Sequence, residues 1–389
     1  MKFIDLNSQQ QRIRKSIETR IQKVLDHGQY IMGPEISELE AELAALVGVK
    51  HAIGCASGTD ALLLALLAYG VKSGDAVFTT PFSFIATAEA IALVGATPVF
   101  VDIDRRTFNL DPEQLEAAIE ALPGDQPAVG AAVPKTLNGP QLTAKGVIAV
   151  DLFGLAADYQ AIRRVADKHG LFVIEDAAQS FGASYHGRKA GGLADIGCTS
   201  FFPAKPLGCY GDGGMCFTAN DELAAAMRSL RLHGQGEHRY DHVRVGINGR
   251  LDTLQAAVLL AKLEIFAEEI ELRQRVAETY SELLAVESSP VVTPRIPADY
   301  VSAWAQYSVL AGDEGSRAAL RKRLEEAAVP TAVYYPKPLY LQPAFSYLGY
   351  APGDFPVSED LARRIFSLPM HPYLQRGEQE AIAKVLLGG

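Results

Sequence analysis

Cysteine, tryptophan and long apolar runs are scarce in this sequence of 389 residues. The four cysteines (Cys55, Cys198, Cys209 and Cys216) form no CxxC pair and no zinc-ligand spacing, which argues against a zinc domain or a disulfide scaffold and favours a reducing compartment. The longest apolar run, about residues 61–71, is too short to span a bilayer. The N-terminal segment turns polar too early for a signal peptide. We therefore expect a cytoplasmic protein without a membrane partner.

Positive charge is also in short supply, since 36 Lys and Arg face 46 Asp and Glu for a net charge of −10. This balance argues against a nucleic-acid partner, because phosphate backbones are bound by basic stripes. An anionic small molecule would need local cations. No GxGxxG motif is present, which argues against a nicotinamide-dependent oxidoreductase. The length predicts two domains, and we place them at residues 1–250 and 251–389.

Short β-branched runs alternate with helix-length stretches from residue 51 onward, which predicts an α/β fold with a mostly parallel, helix-covered sheet. The predicted strands are 51–55, 76–80, 98–102, 147–151 and 171–175, and the predicted helices between them are 59–70, 84–94, 111–122 and 158–169. A hairpin is predicted at 196–202 and 213–218. Two helical pieces are predicted within 8–47, and a long helix is predicted at about 251–285. After that helix we expect a smaller α+β domain.

Some features favour ordinary structural roles. Residues 124–146 are rich in Gly and Pro and predict a surface loop. The Gly211–Gly214 run lacks a following helix and is more typical of a hairpin turn than of a phosphate loop. His238 and His242 have helical spacing but no third ligand, so we expect no metal site.

Three segments at predicted strand ends carry possible chemistry, and each has a plainer alternative. Ser57-Gly58-Thr59-Asp60 opens a helix and suits a phosphate, although such a sequence is more often an ordinary N-cap. Asp176 follows a strand, where an acidic residue is usually solvated. Lys205 lies among Phe, Pro and Gly, which would desolvate its amine and favour a nucleophile, although a lone loop lysine is usually exposed.

Together the three segments match the needs of pyridoxal 5'-phosphate (PLP). This cofactor requires a lysine for covalent attachment, an anion site for its phosphate and a carboxylate that keeps its pyridine nitrogen protonated. In open α/β sheets ligands bind at the carboxyl ends of the strands, which is where all three segments are predicted.

The sequence resembles the sugar-nucleotide aminotransferases of the DegT/DnrJ/EryC1/StrS family from about residue 3 to the C-terminus. The motifs that carry the resemblance are Gly58-Thr59-Asp60, Glu175-Asp176-Ala177-Ala178-Gln179-Ser180, Ser200-Phe201-Phe202-Pro203-Ala204-Lys205 and Gly246-Ile247-Asn248-Gly249-Arg250. The resemblance implies a fold-type I PLP enzyme that works as a homodimer with shared active sites. A non-catalytic sensor with the same fold is the alternative from another functional class.

The resemblance also implies roles for single residues. Lys205 would attach the cofactor, Asp176 would pair with the pyridinium and Gln179 would contact the ring hydroxyl. Phe84 would stack on the ring. The phosphate would be held by Gly58, Thr59 and Ser200, with Asn248 from the other subunit. Asp151, at a position where family members differ, receives no role.

The substrate expectation rests on the segments 209–214, 244–246, 251–257 and 368–372. They resemble the branch of the family that aminates C3 of UDP-2-acetamido-2-deoxy-3-oxo-glucuronate for bacterial surface polysaccharides such as the O-antigen of lipopolysaccharide. L-Glutamate, converted to 2-oxoglutarate, is the implied donor. Arg250 is the candidate for the substrate's anionic groups, with a dimer salt bridge as the alternative. Tyr334 and Tyr335 are candidates for substrate contact or for the core. A C4 aminotransferase of nucleotide-linked 4-keto-6-deoxy sugars remains the alternative activity.

Overall fold

The centre of the protein is a seven-stranded sheet in the order β1-β9-β8-β5-β4-β2-β3. The computed structural model describes residues 1–122, 132–134 and 142–388. β9 is antiparallel to both of its neighbours, and the other adjacent pairs are parallel. The strands of this sheet are β1 (His51–Cys55), β2 (Asp75–Thr79), β3 (Thr97–Phe100), β4 (Thr143–Val150), β5 (Phe172–Asp176), β8 (Ile196–Ser200) and β9 (Gly214–Thr218).

Two smaller three-stranded sheets accompany it, in the orders β10-β12-β13 and β11-β6-β7. Their strands are β6 (Ser184–Tyr185), β7 (Arg188–Lys189), β10 (Val291–Val292), β11 (Tyr300–Val301), β12 (Tyr307–Ala311) and β13 (Ile365–Leu368). The α-helices are α1 (Leu6–His27), α2 (Pro34–Val47), α3 (Gly58–Ala68), α4 (Ala86–Leu93), α5 (Pro112–Ala121), α6 (Tyr159–Lys168), α7 (Asp221–Leu230), α8 (Thr253–Leu284), α9 (Glu314–Glu326), α10 (Pro356–Arg364) and α11 (Arg376–Leu387).

The central strands are apolar on both faces because helices cover both sides of the sheet. Along β4, Val147 and Ala149 lie in the core on one face, whereas Ile148 lies in the core on the other. The same alternation places Val173 and Ile174 of β5 in different cores. Continuous apolar runs of this kind are what the sequence offers at its predicted strands, and these strands are confirmed to within a few residues.

The long helix α8 joins the two parts of the chain. Its first half packs with α1 and α2, and its second half contributes Val276, Ala277 and Tyr280 to a separate core with β12 and α11. No helix in the described part of the chain has the length and hydropathy needed to cross a membrane. The domain boundary at residues 250 and 251 stays a prediction.

One sequence prediction needs correction. Residues 143–146 belong to β4 and not to a surface loop, because Thr143 to Val147 pair with β2 and Gly146 also faces Phe172 of β5. A Cβ on Gly146 would lie 2.1 Å from a ring carbon of Phe172, so the glycine reflects close packing and not a turn. Apart from residues 132–134 and 142, the rest of the predicted loop lies outside the described residues.

Candidate active site

The carboxyl ends of β1, β5 and β8 carry the three segments that the sequence singles out. β1 leads into α3 with Gly58 and Thr59, β5 ends at Asp176, and β8 ends at Ser200 before the loop with Lys205. Parallel strands end at the same edge of a sheet, so these segments converge although they are far apart in the chain. The structure therefore brings together the predicted phosphate, carboxylate and lysine groups.

The start of α3 is built to accept an anion. Ser57 caps the helix, with its hydroxyl oxygen accepting from the Asp60 amide at 3.0 Å. The amides of Gly58 and Thr59 belong to the first turn, where N–H groups have no intrahelical partner and the helix dipole favours negative charge. A Cβ on Gly58 would lie 2.7 Å from Cβ of Ser200. Glycine is therefore needed for the helix start and the end of β8 to meet, and this places the Ser200 hydroxyl beside the free amides.

Asp176 is a buried carboxylate with few partners. It is 6% exposed, and it accepts hydrogen bonds from the Thr87 hydroxyl at 2.7 Å and from the Ala178 amide at 3.2 Å. Burial raises the pKa of Asp176, while the two hydrogen bonds and the nearby Lys205 oppose that rise. A buried carboxylate of this kind favours a cationic partner at its open side, as a protonated pyridine nitrogen would be.

Lys205 lies in the loop after β8, where its backbone amide donates to the Phe202 carbonyl at 2.9 Å. Desolvation lowers the pKa of its amine, and attraction to Asp176 opposes that shift. The desolvation effect is the larger of the two, so the neutral, nucleophilic form of the amine is easier to reach than in an exposed lysine. This agrees with the expectation from its apolar sequence neighbours.

Gln179 is held at both ends of its amide. Its side-chain oxygen accepts from the backbone amide of Phe153 at 2.8 Å, and its nitrogen donates to the Tyr335 hydroxyl at 3.3 Å. Tyr335 also packs edge-on against Phe82 and against Tyr334. Tyr335 thus lines the Gln179 side of the site, and both tyrosines also pack against the apolar core near β4.

The remaining predicted residues lie on more open surface. Phe84 follows β2 and is 56% exposed, so one ring face is available to a ligand. Asn248 is exposed in the segment after α7. Arg250 is half-buried, and its Nε atom has no hydrogen-bond partner within the described residues. These three do not contact Asp176 or Lys205 through any hydrogen bond in the described part of the chain.

Sequence reasoning missed two contributors. Thr87 donates to Asp176 from α4, yet a threonine inside a short helix gives no signal of such a contact. Phe153 acts through its backbone amide, which no side-chain pattern reveals. Its φ of 59° lies in the left-handed region, which residues with large side chains seldom adopt. The strained turn at 152–154 therefore places the Phe153 amide within hydrogen-bond distance of the Gln179 side chain.

The model of the DegT/DnrJ/EryC1/StrS aminotransferase family matches residues 11–387. The chain belongs to this family. It is 50% identical over 386 residues to the UDP-2-acetamido-2-deoxy-3-oxo-D-glucuronate aminotransferase of Pseudomonas aeruginosa, with 99% of each chain covered. It is 42% identical over 384 residues to a UDP-N-acetyl-3-dehydro-alpha-D-glucosamine 3-aminotransferase of Acidithiobacillus ferrooxidans, covering 99% of this chain and 96% of the other. A solved DegT/DnrJ/EryC1/StrS aminotransferase from Brucella abortus superimposes with a TM-score of 0.92 at 49% identity, covering 100% and 99% of the two chains.

Membership of this aminotransferase family confirms the predicted fold-type I architecture, the enzyme class and the PLP dependence. The residues present fit the cofactor. Gly58, Thr59 and Ser200 form a cradle that an extra Cβ would fill, Asp176 is a buried carboxylate, and Lys205 offers a desolvated amine. The chemistry of this set matches the phosphate, ring nitrogen and aldehyde of PLP.

Proposed function

We propose that this aminotransferase transfers the amino group of L-glutamate to C3 of UDP-2-acetamido-2-deoxy-3-oxo-glucuronate. The observation that carries the proposal is the 50% identity, over nearly all of both chains, to an aminotransferase named for that substrate. A second relative, 42% identical, is also named for amination at C3 of a UDP-linked sugar. The proposed place of the reaction is the synthesis of a bacterial surface polysaccharide such as O-antigen.

Each residue of the site has a proposed task. Bound PLP supplies an aldehyde that accepts the amino group and a ring that withdraws electrons from the substrate carbon. Lys205 attaches the cofactor and carries the proton at its Nζ atom, for which a lowered pKa is an advantage. Asp176 keeps the ring nitrogen protonated, and Gln179 contacts the ring hydroxyl through its oriented amide.

The phosphate and ring contacts complete the proposed cofactor site. Gly58, Thr59 and Ser200 bind the phosphate from one subunit, and Asn248 reaches it from the other. Phe84 stacks on the ring with its exposed face. The exposure of Asn248 within a single chain supports a role across a dimer interface. We therefore propose a homodimer with two shared active sites.

The substrate's diphosphate and carboxylate need cations that a chain of net charge −10 must provide locally. We propose Arg250 for this role, supported by its Nε atom, which is buried and unpartnered within the described residues. Tyr334 and Tyr335 are proposed substrate contacts on the Gln179 side of the site.

We also propose a cytoplasmic enzyme, in keeping with four cysteines that are all unpaired and buried.

The test is an assay of the purified enzyme with glutamate and two classes of keto-sugar. We expect 2-oxoglutarate to form with the UDP-linked 3-keto uronate, and NMR to locate the new amine at C3. Amination only of nucleotide-linked 4-keto-6-deoxy sugars would replace the proposed substrate. Absence of turnover with either class, despite bound PLP, would support a sensor instead.

A further inference from the structure

Asp151 is a fully buried carboxyl directly after β4. It accepts hydrogen bonds from the Ala157 amide at 2.9 Å, the Tyr159 hydroxyl at 2.8 Å and the Ser180 hydroxyl at 2.7 Å. Three donors satisfy most of the capacity of a carboxylate. Such an arrangement stabilises the ionised form, because hydrogen bonds to a carboxylate favour the charge.

Glu175, a second fully buried carboxyl, lies beside it on β5. The register of β4 and β5 pairs Ala149 with Glu175 and Val150 with Asp176. Side chains alternate between faces, so Asp151 and Glu175 share one face of the sheet while Asp176 points to the other. Glu175 accepts hydrogen bonds from the amides of Gly191 at 2.6 Å and Leu193 at 2.8 Å, and its carboxyl is close enough to that of Asp151 for the two to influence each other's pKa.

Two neighbouring buried carboxyls on one face of the sheet favour holding one proton between them, because two adjacent buried anions repel each other strongly. The titratable side chains that face the pair carry no positive charge: they are Tyr159 of α6 and Tyr300 of β11. No lysine or arginine forms an ion pair with either carboxyl in the described ranges. Burial raises the pKa of both groups.

The proton belongs on Glu175. Asp151 has three donors and Glu175 has two backbone donors, so the ionised form is better stabilised at Asp151. A protonated Glu175 then has an O–H that donates to Asp151. This arrangement leaves one negative charge, and not two, on this face of the sheet.

Two short series of contacts connect the Asp151–Glu175 pair to Gln179. Ser180, which donates to Asp151, is the chain neighbour of Gln179. The turn after Asp151 carries Phe153, whose amide donates to the Gln179 side chain. The same turn is fixed by Asn109, which accepts from the Leu152 amide and donates to the Leu155 carbonyl, each at 2.9 Å. Asp151 therefore binds the residue next to Gln179, and the turn that directly follows Asp151 binds the Gln179 side chain.

We propose that Asp151 and Glu175 form a carboxyl pair that holds one proton, and that Asp151 positions Gln179 through Ser180 and the 152–154 turn. The effect on catalysis rests on the proposed function, in which Gln179 contacts the cofactor. The proposal that the pair holds one proton does not depend on what Gln179 contacts.

The proton is tested by infrared spectroscopy of the PLP-loaded enzyme at neutral pH. A protonated carboxyl absorbs at a C=O frequency distinct from that of a carboxylate. Glu175→Gln replaces the protonated carboxyl with an amide whose N–H can donate to Asp151, so the pair then contains a carboxylate and no carboxylic acid. We expect the difference spectrum, wild type minus Glu175→Gln, to show one carboxylic-acid band. If that band is absent, the pair holds no shared proton and the first half of the proposal is wrong.

The positioning role is tested with two matched serine variants. Ser180→Ala removes the bond to Asp151, and Ser358→Ala removes a similar buried bond, 2.6 Å from the Ser358 hydroxyl to Asp102, away from the site. We expect similar losses of thermal midpoint. Only Ser180→Ala should lower kcat/KM, on the order of tenfold, and shift the absorption maximum of bound cofactor, because small displacements of a contact group are costly in catalysis.

The outcomes separate this proposal from the proposed function. An inactive wild-type enzyme with a carboxylic-acid band would contradict the function and leave the proton pair standing. An active wild type in which Ser180→Ala and Ser358→Ala behave alike, in kinetics and in the cofactor spectrum, would contradict the positioning role alone.

Discussion

The hydroxyl of Thr87 lies 2.7 Å from the Asp176 carboxylate, although the two residues are 89 positions apart in the chain. Thr87 belongs to α4 and Asp176 ends β5, so the contact exists only once the helix packs on the sheet. The hydroxyl donates, which favours the ionised carboxylate and opposes the rise in the pKa of Asp176 caused by burial. Thr87 is thus expected to help Asp176 stay charged beside the cofactor.

Replacing Thr87 with valine should therefore lower kcat roughly ten- to a hundredfold, because hydrogen bonds to charged groups contribute about 1.5–3 kcal/mol. Thr79→Val is the matched control, since its buried hydroxyl donates to the Ile148 carbonyl at 2.9 Å and does not touch Asp176. Both variants should lose thermal stability. Steady-state kinetics that show equal kcat for the two variants would contradict the role of Thr87.

Lys205→Ala should lose the visible absorption of lysine-bound cofactor and all measurable turnover, because no other lysine of the described residues acts on Asp176 and could take its place. The phosphate cradle at Gly58 and Ser200 is left intact, so equilibrium dialysis should still detect bound PLP. Lys322→Ala, an exposed lysine on α9, serves as the control and should behave as wild type. Near-normal transamination by Lys205→Ala would overturn the assignment.

Asp176→Asn should reduce kcat roughly 10²–10⁴-fold, because an unpaired buried charge costs about 3–5 kcal/mol. The fold should survive, since the asparagine oxygen can still accept from Thr87 or Ala178. Circular dichroism checks the fold, and kinetics at saturating glutamate and sugar check the rate. A kcat within a few-fold of wild type would move the role of ring-nitrogen partner to another residue.

The shared site is tested by mixing two inactive variants, Lys205→Ala and Asn248→Ala. Heterodimers carry one site with an intact Lys205 and an intact partner Asn248. An equal mixture should therefore recover about a quarter of wild-type activity if subunits exchange at random. Native mass spectrometry of tagged subunits confirms exchange. Heterodimers that form but remain inactive would speak against a site built from two chains.

Lys262 on α8 gives a prediction about pH. Its amine is buried, lacks a hydrogen-bond partner among the described residues and lies 4.5 Å from the ring centre of Tyr210. Desolvation lowers the pKa of Lys262 from 10.5 to about 8, against the attraction of Glu269 and Cys209. Folding then disfavours the charged amine, so stability is lost as pH falls from 10.5 towards 8.

Lys262→Met should accordingly raise the free energy of unfolding at pH 7, by up to about 3 kcal/mol, since each pKa unit corresponds to about 1.4 kcal/mol. The gain should shrink above pH 8 and vanish near pH 10.5. Urea titrations at fixed protomer concentration measure it, and the exposed Lys322→Met provides the control. A gain that is the same at pH 7 and pH 10 would show that packing, and not charge, is responsible.

The sequence predicts the central sheet and the site residues at its strand ends, because both follow from local patterns of apolar and polar residues. Buried strands such as Phe172–Asp176 need apolar residues on both faces, and Lys205 stands among residues that desolvate it. The sequence predicts too short a strand at Thr143–Val150 because Ala144, Lys145 and Gly146, near its start, are individually poor strand formers. Pairing with β2 and β5 overrides that weak propensity.

Contacts between distant segments could not be predicted in the same way. The sequence assigns no role to Asp151 because its partners, Tyr159 and Ser180, are ordinary polar residues that come together only in the tertiary fold. The Gln179 contact with Tyr335 joins positions 156 apart. Family resemblance supplied the role of Gln179, whereas nothing in a single sequence marks the groups that hold it.

The antiparallel strand β9 has a consequence for how the chain is made. β1 (His51–Cys55) lies at the edge of the central sheet, where its neighbour is β9 (Gly214–Thr218). At a synthesis rate of about 5–20 residues per second, roughly ten to thirty seconds pass between the synthesis of β1 and that of β9. Its apolar side chains, and those of the following helix α3, are exposed during this interval. Slower translation between residues 56 and 213 should therefore increase the dependence of the nascent enzyme on chaperones.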